Sequence, residues 1–153
     1  MIEYGRSIRW FNNYRDEVEF SESNKFDFMQ IWFKKGDLIL DKINYTPNDL
    51  KVVFDRNPDV ELLLDIAHID DYKHLQEILE VKFPKCLHIA DKRFSEAHEH
   101  LPIGEGDLDF ELIFQNYLKG YDGKIIFEVV DTDEKIIRSK NIIQSILNKT
   151  TLI

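Results

Sequence analysis

Four short apolar runs, separated by segments of helical periodicity, constrain the fold of this chain more than any other feature. The runs are FMQIWF at 28–33, ELLLDIA at 61–67, CLHIA at 86–90 and KIIFEVV at 124–130. They are continuous and do not alternate with polar residues. Continuous runs of this length predict strands that are covered on both faces, as in a parallel sheet.

Two further segments have some strand character. EYGRSIRWF at 3–11 alternates more regularly and is a fifth strand candidate. DLILDKI at 37–43 is ambiguous, because it could be a strand of its own or the return of a hairpin through KKGD.

Helical patterns lie between the later runs. TPNDLKVVFDR offers Thr46 as N-cap and Pro47 as the first helical residue. Similar patterns are DDYKHLQEILE, DFELIFQNYLKG and EKIIRSKNIIQSIL. From residue 46 onward helices and strands alternate, which predicts parallel strands joined by right-handed crossovers. We expect one α/β domain over residues 1–153.

Composition excludes several classes of protein. The 153 residues carry a formal net charge of −9, which disfavours nucleic acid and anionic membranes as partners. The single cysteine, Cys86, allows neither an internal disulfide nor a thiolate zinc site. No run approaches the 18 apolar residues of a membrane span, and we expect a cytoplasmic protein.

Titratable residues collect where the predicted strands end. In parallel βα proteins, active sites form at the carboxyl ends of the strands. Asp65 ends one apolar run and His68 follows it, His88 lies in the next run, and Glu128 lies in the last. Each residue also has a plain structural interpretation. Asp65 could cap a turn, Glu128 could belong to a structural ion pair, and the histidines could be ordinary core or loop residues.

The combined pattern favours a metal site. Imidazole nitrogens and carboxylate oxygens are the ligands that divalent metals use in the absence of thiolates. The loop HEHLPIGEG at 98–106 adds His98 and His100. Its glycines, Gly104 and Gly106, give the backbone freedom to fold over the strand edge.

Four segments resemble a known family. They are LLLDIAHID, CLHIADKRF, EHLPIGEGDLDFELIF and GYDGKIIFEVV, in this order and spacing. They are similar to the xylose-isomerase-like TIM barrels, a superfamily of sugar isomerases, epimerases and AP endonucleases. The resemblance is good over residues 45–153, the carboxyl-terminal half of a barrel, and loose over residues 1–44, its first strands. It implies a partial, truncated TIM barrel with about five parallel strands and flanking helices.

The resemblance implies roles for particular residues. Asp65, His88 and Glu128 match the metal ligands on the last three strands of the family. His68 matches a residue that contacts substrate in the epimerases and binds an additional zinc in the endonucleases. His98 and His100 match an Asp-x-His zinc pair of the endonucleases, and histidine in place of that aspartate weakens a nuclease interpretation.

The chain also departs from the family. A TIM barrel has eight strands and about 250 residues, and the segment from the second helix to the fifth strand is missing here. The catalytic glutamate of the fifth strand should be missing with it. Asp41, at the end of LILD, lies where that glutamate would be and could replace it. A half barrel leaves open strand edges, so we expect a homodimer or a higher homo-oligomer.

The function implied is that of a sugar or sugar-phosphate isomerase or epimerase that acts by metal-assisted enolisation. Its divalent ion would be Zn, Mn, Mg or Co, and Glu128 and Asp41 would be the catalytic carboxylates. His68, with Lys92 or Arg93, would orient hydroxyls or phosphate. One alternative is a degenerate, non-catalytic binding or structural member of the family. A further alternative is an AP-endonuclease-like phosphodiester hydrolase with up to three zinc ions.

Overall fold

The computed structural model describes residues 2–7, 14–30, 47–56, 58–59, 61–96 and 99–150. Five strands lie in this part of the chain: β1 Glu3–Ser7, β2 Phe28–Gln30, β3 Leu63–Asp65, β4 Cys86–Ile89 and β5 Lys124–Phe127. The helices are α1 Tyr14–Ser23, α2 Pro47–Arg56, α3 Tyr72–Val81, α4 Phe110–Leu112 and α5 Asp133–Thr150. A 3-10 turn, Ile66–His68, follows β3, and π-helical turns, Ile113–Tyr117, continue α4.

The strands form one parallel sheet in the order β2-β1-β5-β4-β3. The first strand therefore pairs with the last, as it does where a barrel closes. In this order β2 and β3 are the outer strands, and the strands that a complete barrel has between its second and sixth would lie there. The prediction of an α/β partial barrel with about five parallel strands is confirmed.

Strands β3, β4 and β5 coincide with predicted runs that are described throughout, and each strand is shorter than its run. In particular, β5 ends at Phe127, so Glu128 lies one residue beyond the strand in which the apolar run had placed it. The Glu128 N–H still donates a hydrogen bond of 3.1 Å to the Ile89 carbonyl oxygen at the end of β4, so its backbone stays attached to the carboxyl edge of the sheet. The ambiguous segment 37–43, which includes Asp41, and His98 lie outside the described residues.

The two faces of the sheet differ in burial. Residues that point toward the helices are almost completely buried, and they are Leu64, Leu87, Ile89, Ile125 and Phe127. Burying each such side chain stabilises the fold by about 1.5–3 kcal/mol relative to leaving it exposed. On the opposite face, which corresponds to the interior of a barrel, Leu63 is 46% exposed, whereas His88 and Ile126 are buried but lie outside the main apolar cluster. The core therefore lies between the sheet and its helices.

Helix α3 illustrates how the local sequence sets an element. The Asp71 side chain accepts a hydrogen bond of 2.7 Å from the His74 N–H and so caps the first turn. Leu75 and Ile78 are buried on one face of this helix. Helix α5 likewise has buried apolar residues at helical spacing, Ile136, Ile143 and Ile146. Within the part of the chain that the structure describes, no helix is long and apolar enough to cross a membrane.

Candidate functional site

The sheet register places three predicted site residues on one face. Asp65 is paired with His88, and His88 is paired with Ile126. Partners in a parallel register point to the same face, and side chains alternate with a period of two. Glu128 follows Ile126 by two residues, so it extends from the same face at the carboxyl edge of the sheet.

The three side chains converge. One potential ligand atom from each of Asp65, His88 and Glu128 lies within 4.8 Å of the other two. His88 Nδ1 is 3.1 Å from Glu128 Oε1. The other ring nitrogen, Nε2, is buried and has no hydrogen-bond partner among the described residues. The arrangement thus offers one imidazole nitrogen and two carboxylates at one point.

Asp65 has two sets of contacts. Its Oδ1 accepts a hydrogen bond of 2.9 Å from the Ala67 N–H, which caps the 3-10 turn, and its Oδ2 is 3.5 Å from His68 Nε2. Burial and the nearby negative charge of Glu128 raise the pKa of Asp65 to about 6. The capping role and a place in the site are therefore compatible in this residue.

Glu128 is held on both sides. Ser7 Oγ donates a hydrogen bond of 3.1 Å to its Oε1, the oxygen that also faces His88. Burial raises the pKa of Glu128, but the hydrogen bonds and positive charge of His88, the charge of His100 and the Ser7 hydroxyl outweigh it and lower the pKa overall. The sequence reasoning missed Ser7. Its position at the end of β1, level with Glu128 in the register, is the signal that could have found it.

These residues fit a divalent metal ion. Burial, and then the charge of Glu128, raise the pKa of Asp65, and a cation between the two carboxylates would remove their repulsion. The buried Nε2 of His88, which has no hydrogen-bond partner among the described residues, is a nitrogen that a bound ion would satisfy. A nitrogen and carboxylate donor set without thiolate suits Zn, Mn, Mg or Co.

Two further histidines lie beside this group. The rings of His68 and His100 have their centroids 5.7 Å apart, and His100 Nδ1 is 3.8 Å from Glu128 Oε2. Burial lowers the pKa of His68. Both side chains therefore line the carboxyl edge of the sheet, next to the three converging residues.

Lys92 and Arg93 differ in their surroundings. Lys92 is only 4% exposed, and its Nζ donates a hydrogen bond of 3.0 Å to the Ile69 carbonyl oxygen. Arg93 is exposed and is paired with Glu99 by two of its side-chain nitrogens. Contacts of Lys92 and Arg93 with a substrate stay predictions.

The loop that carries His100 is organised by a buried carboxylate. Asp91 accepts hydrogen bonds from the N–H groups of Gly104 and Gly106 at 2.8 and 2.9 Å. Gly104 has a φ of 89°, in the left-handed region that glycine favours. A Cβ on Gly106 would overlap Asp91 Oδ1 and the Lys92 carbonyl oxygen. The role of Asp91 was not predicted from the sequence. The available signal was its position three residues after His88, where the strand ends.

The fold and the site together define a class. A parallel βα sheet in which first and last strands pair, with polar residues at the carboxyl edge, has the architecture of an α/β barrel. The sequence profile of the family described as "Xylose isomerase-like TIM barrel" matches residues 29–146. The chain belongs to this family.

A solved structure supports the assignment of the fold. The structure titled "Crystal structure of D-tagatose 3-epimerase-like protein" superposes with a TM-score of 0.55 at 19% sequence identity. The match covers 98% of this chain and 62% of the other. The chain thus spans less than two thirds of the length of that protein. The comparison with curated proteins gave no match.

Proposed function

We propose that this chain is a metal-dependent isomerase- or epimerase-like protein that acts on a sugar or a sugar phosphate. The observation that carries the proposal is the convergence of Asp65, His88 and Glu128 within 4.8 Å at the carboxyl edge of the sheet. Membership of the xylose-isomerase-like family and the similarity to an epimerase-like structure support it.

Asp65, His88 and Glu128 would hold the ion. A divalent metal bound there would supply Lewis acidity, which polarises the carbonyl and hydroxyl groups of a sugar. His88 contributes a nitrogen that is already buried, and Asp65 contributes a carboxyl with a pKa near 6. Protons must leave the ligands when metal binds, so the site takes up metal best above that pH.

Glu128 is the proposed base for proton transfer. Its lowered pKa keeps it ionised at neutral pH, so it can accept a proton from the carbon next to the substrate carbonyl. The electron pair of that C–H bond then forms the carbon–carbon double bond of an enediolate, while the π electron pair of the carbonyl moves onto its oxygen. Return of the proton to the neighbouring carbon, with transfer of the hydroxyl proton to the former carbonyl oxygen, completes an isomerisation. Return of the proton to the original carbon from the opposite face completes an epimerisation. The second carboxylate that epimerisation requires is proposed to be Asp41.

His68 and His100 are the proposed contacts for substrate hydroxyls. Imidazole can donate and accept hydrogen bonds, and each hydroxyl of a sugar also does both. Their position beside Asp65 and Glu128 would place a hydroxyl-bearing carbon next to the reacting centre. Exposed Arg93 is the candidate for a phosphate group, because a guanidinium binds phosphate in a bidentate manner.

An assembly of two or more copies is part of the proposal. Leu63, 46% exposed, lies on the sheet face that the interior of a complete barrel would cover. Association through this face would bury apolar surface, and a stable interface of this kind buries at least about 1,600 Å² in total.

Proton exchange in heavy water tests the proposed chemistry. The protein is loaded with Mn²⁺ or Co²⁺ and incubated with ketoses and ketose phosphates, and loss of the C–H signal next to the carbonyl is followed by NMR. We expect exchange for at least one substrate and none without metal. Metal binding without exchange for any member of a broad panel would contradict the enzymatic proposal.

A degenerate, non-catalytic role is the second candidate. The observation that favours it is that Glu128 already has partners in His88 and Ser7, so this carboxylate is satisfied without an ion. Metal analysis of the purified protein separates the candidates. About one ion per chain supports the isomerase, none supports the binding protein, and three would support a nuclease, which the charge of −9 disfavours.

A further inference from the structure

Two consecutive charged residues are buried and have no part in the proposed chemistry. Asp91 is 0% exposed and Lys92 is 4% exposed. Charged side chains are seldom buried so completely unless their polar atoms are satisfied. The contacts of this pair, which follows β4, therefore indicate what the two charges do.

The Asp91 carboxylate is satisfied by backbone N–H groups. Its Oδ2 accepts from Gly104 at 2.8 Å and from Gly106 at 2.9 Å, and its Oδ1 accepts from Lys92 at 2.8 Å and from Leu108 at 3.2 Å. Hydrogen bonds to an ionised acceptor are about twice as strong as neutral ones. The Asp91 side chain thus binds three N–H groups, of Gly104, Gly106 and Leu108, at the end of the loop that begins near His100.

Backbone contacts hold the near end of the same loop. Asp91 and Leu101 exchange two backbone hydrogen bonds of 2.8 Å, and the Val130 N–H donates to the His100 carbonyl oxygen at 3.1 Å. These bonds hold the backbone around residue 100 in place only if the far end of the loop also lies next to Asp91. The hydrogen bonds to the Asp91 carboxylate keep it there.

The Lys92 side chain extends in the other direction. Its Nζ donates to the Ile69 carbonyl oxygen at 3.0 Å, and Ile69 directly follows His68. The Lys92 carbonyl oxygen accepts from the Asp107 N–H at 2.7 Å. Lys92 therefore connects the segment that carries His68 with the loop that carries His100.

We propose that Asp91 and Lys92 are positioning residues that hold the His68 segment and the His100 loop together, and so set the distance between the two imidazole rings. The centroids of those rings are 5.7 Å apart. This inference rests on the proposed function only in treating the two histidines as substrate contacts. It gives Lys92 an indirect role, through Ile69, where the sequence had predicted direct contact with substrate.

A nuclear Overhauser effect between the ring protons of His68 and His100 reports the spacing directly, in the metal-free full chain. The unmodified protein should show this effect. Lys92→Met replaces the ammonium with an apolar group of similar length and removes the bond to Ile69, so the effect should be lost. Lys73→Met is the matched control, because it makes the same substitution at an exposed lysine on α3 that is paired with Glu77, and the effect should remain.

Asp91→Asn tests the other half of the pair. The amide keeps one acceptor oxygen and has an NH2 donor in place of the second, so either the Gly104 and Gly106 pair or the Lys92 and Leu108 pair of N–H groups loses its acceptor. We again expect loss of the His68–His100 effect. Glu105→Gln is the matched control, since it removes a carboxylate from the same loop that is bonded to Lys135 on α5.

The outcomes separate this inference from the proposed function. Folded Lys92→Met and Asp91→Asn proteins that retain the full effect would overturn the positioning role, and a retained effect in Lys92→Met would return Lys92 to direct substrate contact. Titration with Mn²⁺ is run on the same samples. Failure of the unmodified protein to bind Mn²⁺ counts against the proposed function alone.

Hydrogen exchange of the unmodified protein covers the case in which both variants fail to fold. The amides of Gly104, Gly106 and Leu108 should exchange slowly and as a group, because one buried carboxylate holds all three. Exchange at the rate of an open loop would overturn the inference. Slow exchange of the group supports it.

Discussion

Asp65 and His88 are direct partners in the parallel register of β3 and β4, and their side chains leave the same face of the sheet. A shift of one residue in either strand would turn one of them toward the helices. Apolar Leu64 and Leu87, which are paired next to them and buried on the other face, oppose such a shift. The packing of the core therefore determines the geometry of the site.

Replacing His88 should remove metal binding. His88→Gln eliminates the nitrogen donor, so the affinity for Mn²⁺ or Co²⁺ should fall by more than the roughly 10- to 100-fold that loss of a residue supporting a metal ligand costs. Titration calorimetry measures the affinity. His74→Gln, on α3 beside Asp70, is the control and should bind as the parent does.

Asp65→Asn should stabilise the metal-free protein at neutral pH. The pKa of Asp65 rises from 3.8 to about 6 on folding, so the folded state binds its proton more tightly and loses stability as the pH rises between these values. Removing the charge should gain on the order of 2 kcal/mol at about pH 7.5, since one pKa unit corresponds to about 1.4 kcal/mol, and little at about pH 4.

Urea unfolding at the two pH values measures this difference. The asparagine keeps an oxygen for the Ala67 N–H, so the cap of the 3-10 turn is retained. Asp109→Asn, at the N-cap of α4, is a control of the same chemistry outside the site. A variant at Asp65 that is less stable than the parent at neutral pH would show that this carboxylate has a stabilising partner instead.

Ser7→Ala should shift the pH dependence of metal binding. The Ser7 hydroxyl is one of the groups that lower the pKa of Glu128, so its loss should raise that pKa. Metal affinity should then fall at about pH 5 and change little at about pH 8, because protons compete with metal only near the pKa. Ser21→Ala, whose hydroxyl bonds within α1, should give the profile of the parent.

Gly106→Ala should destabilise the fold more than Gly104→Ala. The added methyl group at residue 106 would overlap Asp91 and the Lys92 carbonyl oxygen, and overpacking of this kind costs about 1–3 kcal/mol. The methyl group at residue 104 meets open space and adds only left-handed backbone strain of about 1 kcal/mol. The free energy of unfolding in urea measures both, and equal costs would contradict the packing around Asp91.

Leu63→Lys should weaken self-association. The parent is expected to be a dimer or larger by light scattering at micromolar concentration, because exposed Leu63 lies on the open face of the sheet. A lysine there would have to be desolvated in the interface, which favours the monomer. Phe83→Lys, at an apolar residue exposed to a similar degree outside the sheet, is the control. A monomeric parent would contradict the proposed assembly.

Much of the fold could be predicted because its signals are local. Continuous apolar runs identified the strands around Asp65, His88 and Glu128, and alternation with helical patterns identified their parallel order. Once the order was parallel, the carboxyl ends of the strands had to share an edge. The three residues at this edge could therefore be predicted from the amino-acid sequence alone.

Two features that the sequence did not reveal, the burial of the predicted site residue Lys92 and the place of Ser7 in the site, depend on contacts between distant segments. Lys92 is charged and would ordinarily be exposed, and only the position of the Ile69 carbonyl explains its burial. Ser7 is unremarkable in β1 until the register brings it level with Glu128. Neither contact produces a periodic pattern in the sequence, because each joins segments that are far apart along the chain.

The sequence by itself determined the class of fold, the edge at which polar residues collect and the chemistry of the ligands, since these follow from periodicity and residue type. Only the tertiary structure decided that Asp65 is buried and lies close to Glu128, which together raise its pKa. It also decided that a buried carboxylate, Asp91, organises the HEHLPIGEG loop. Both depend on burial and on distances of a few ångströms between strands and loops, which arise only when the whole sheet has packed.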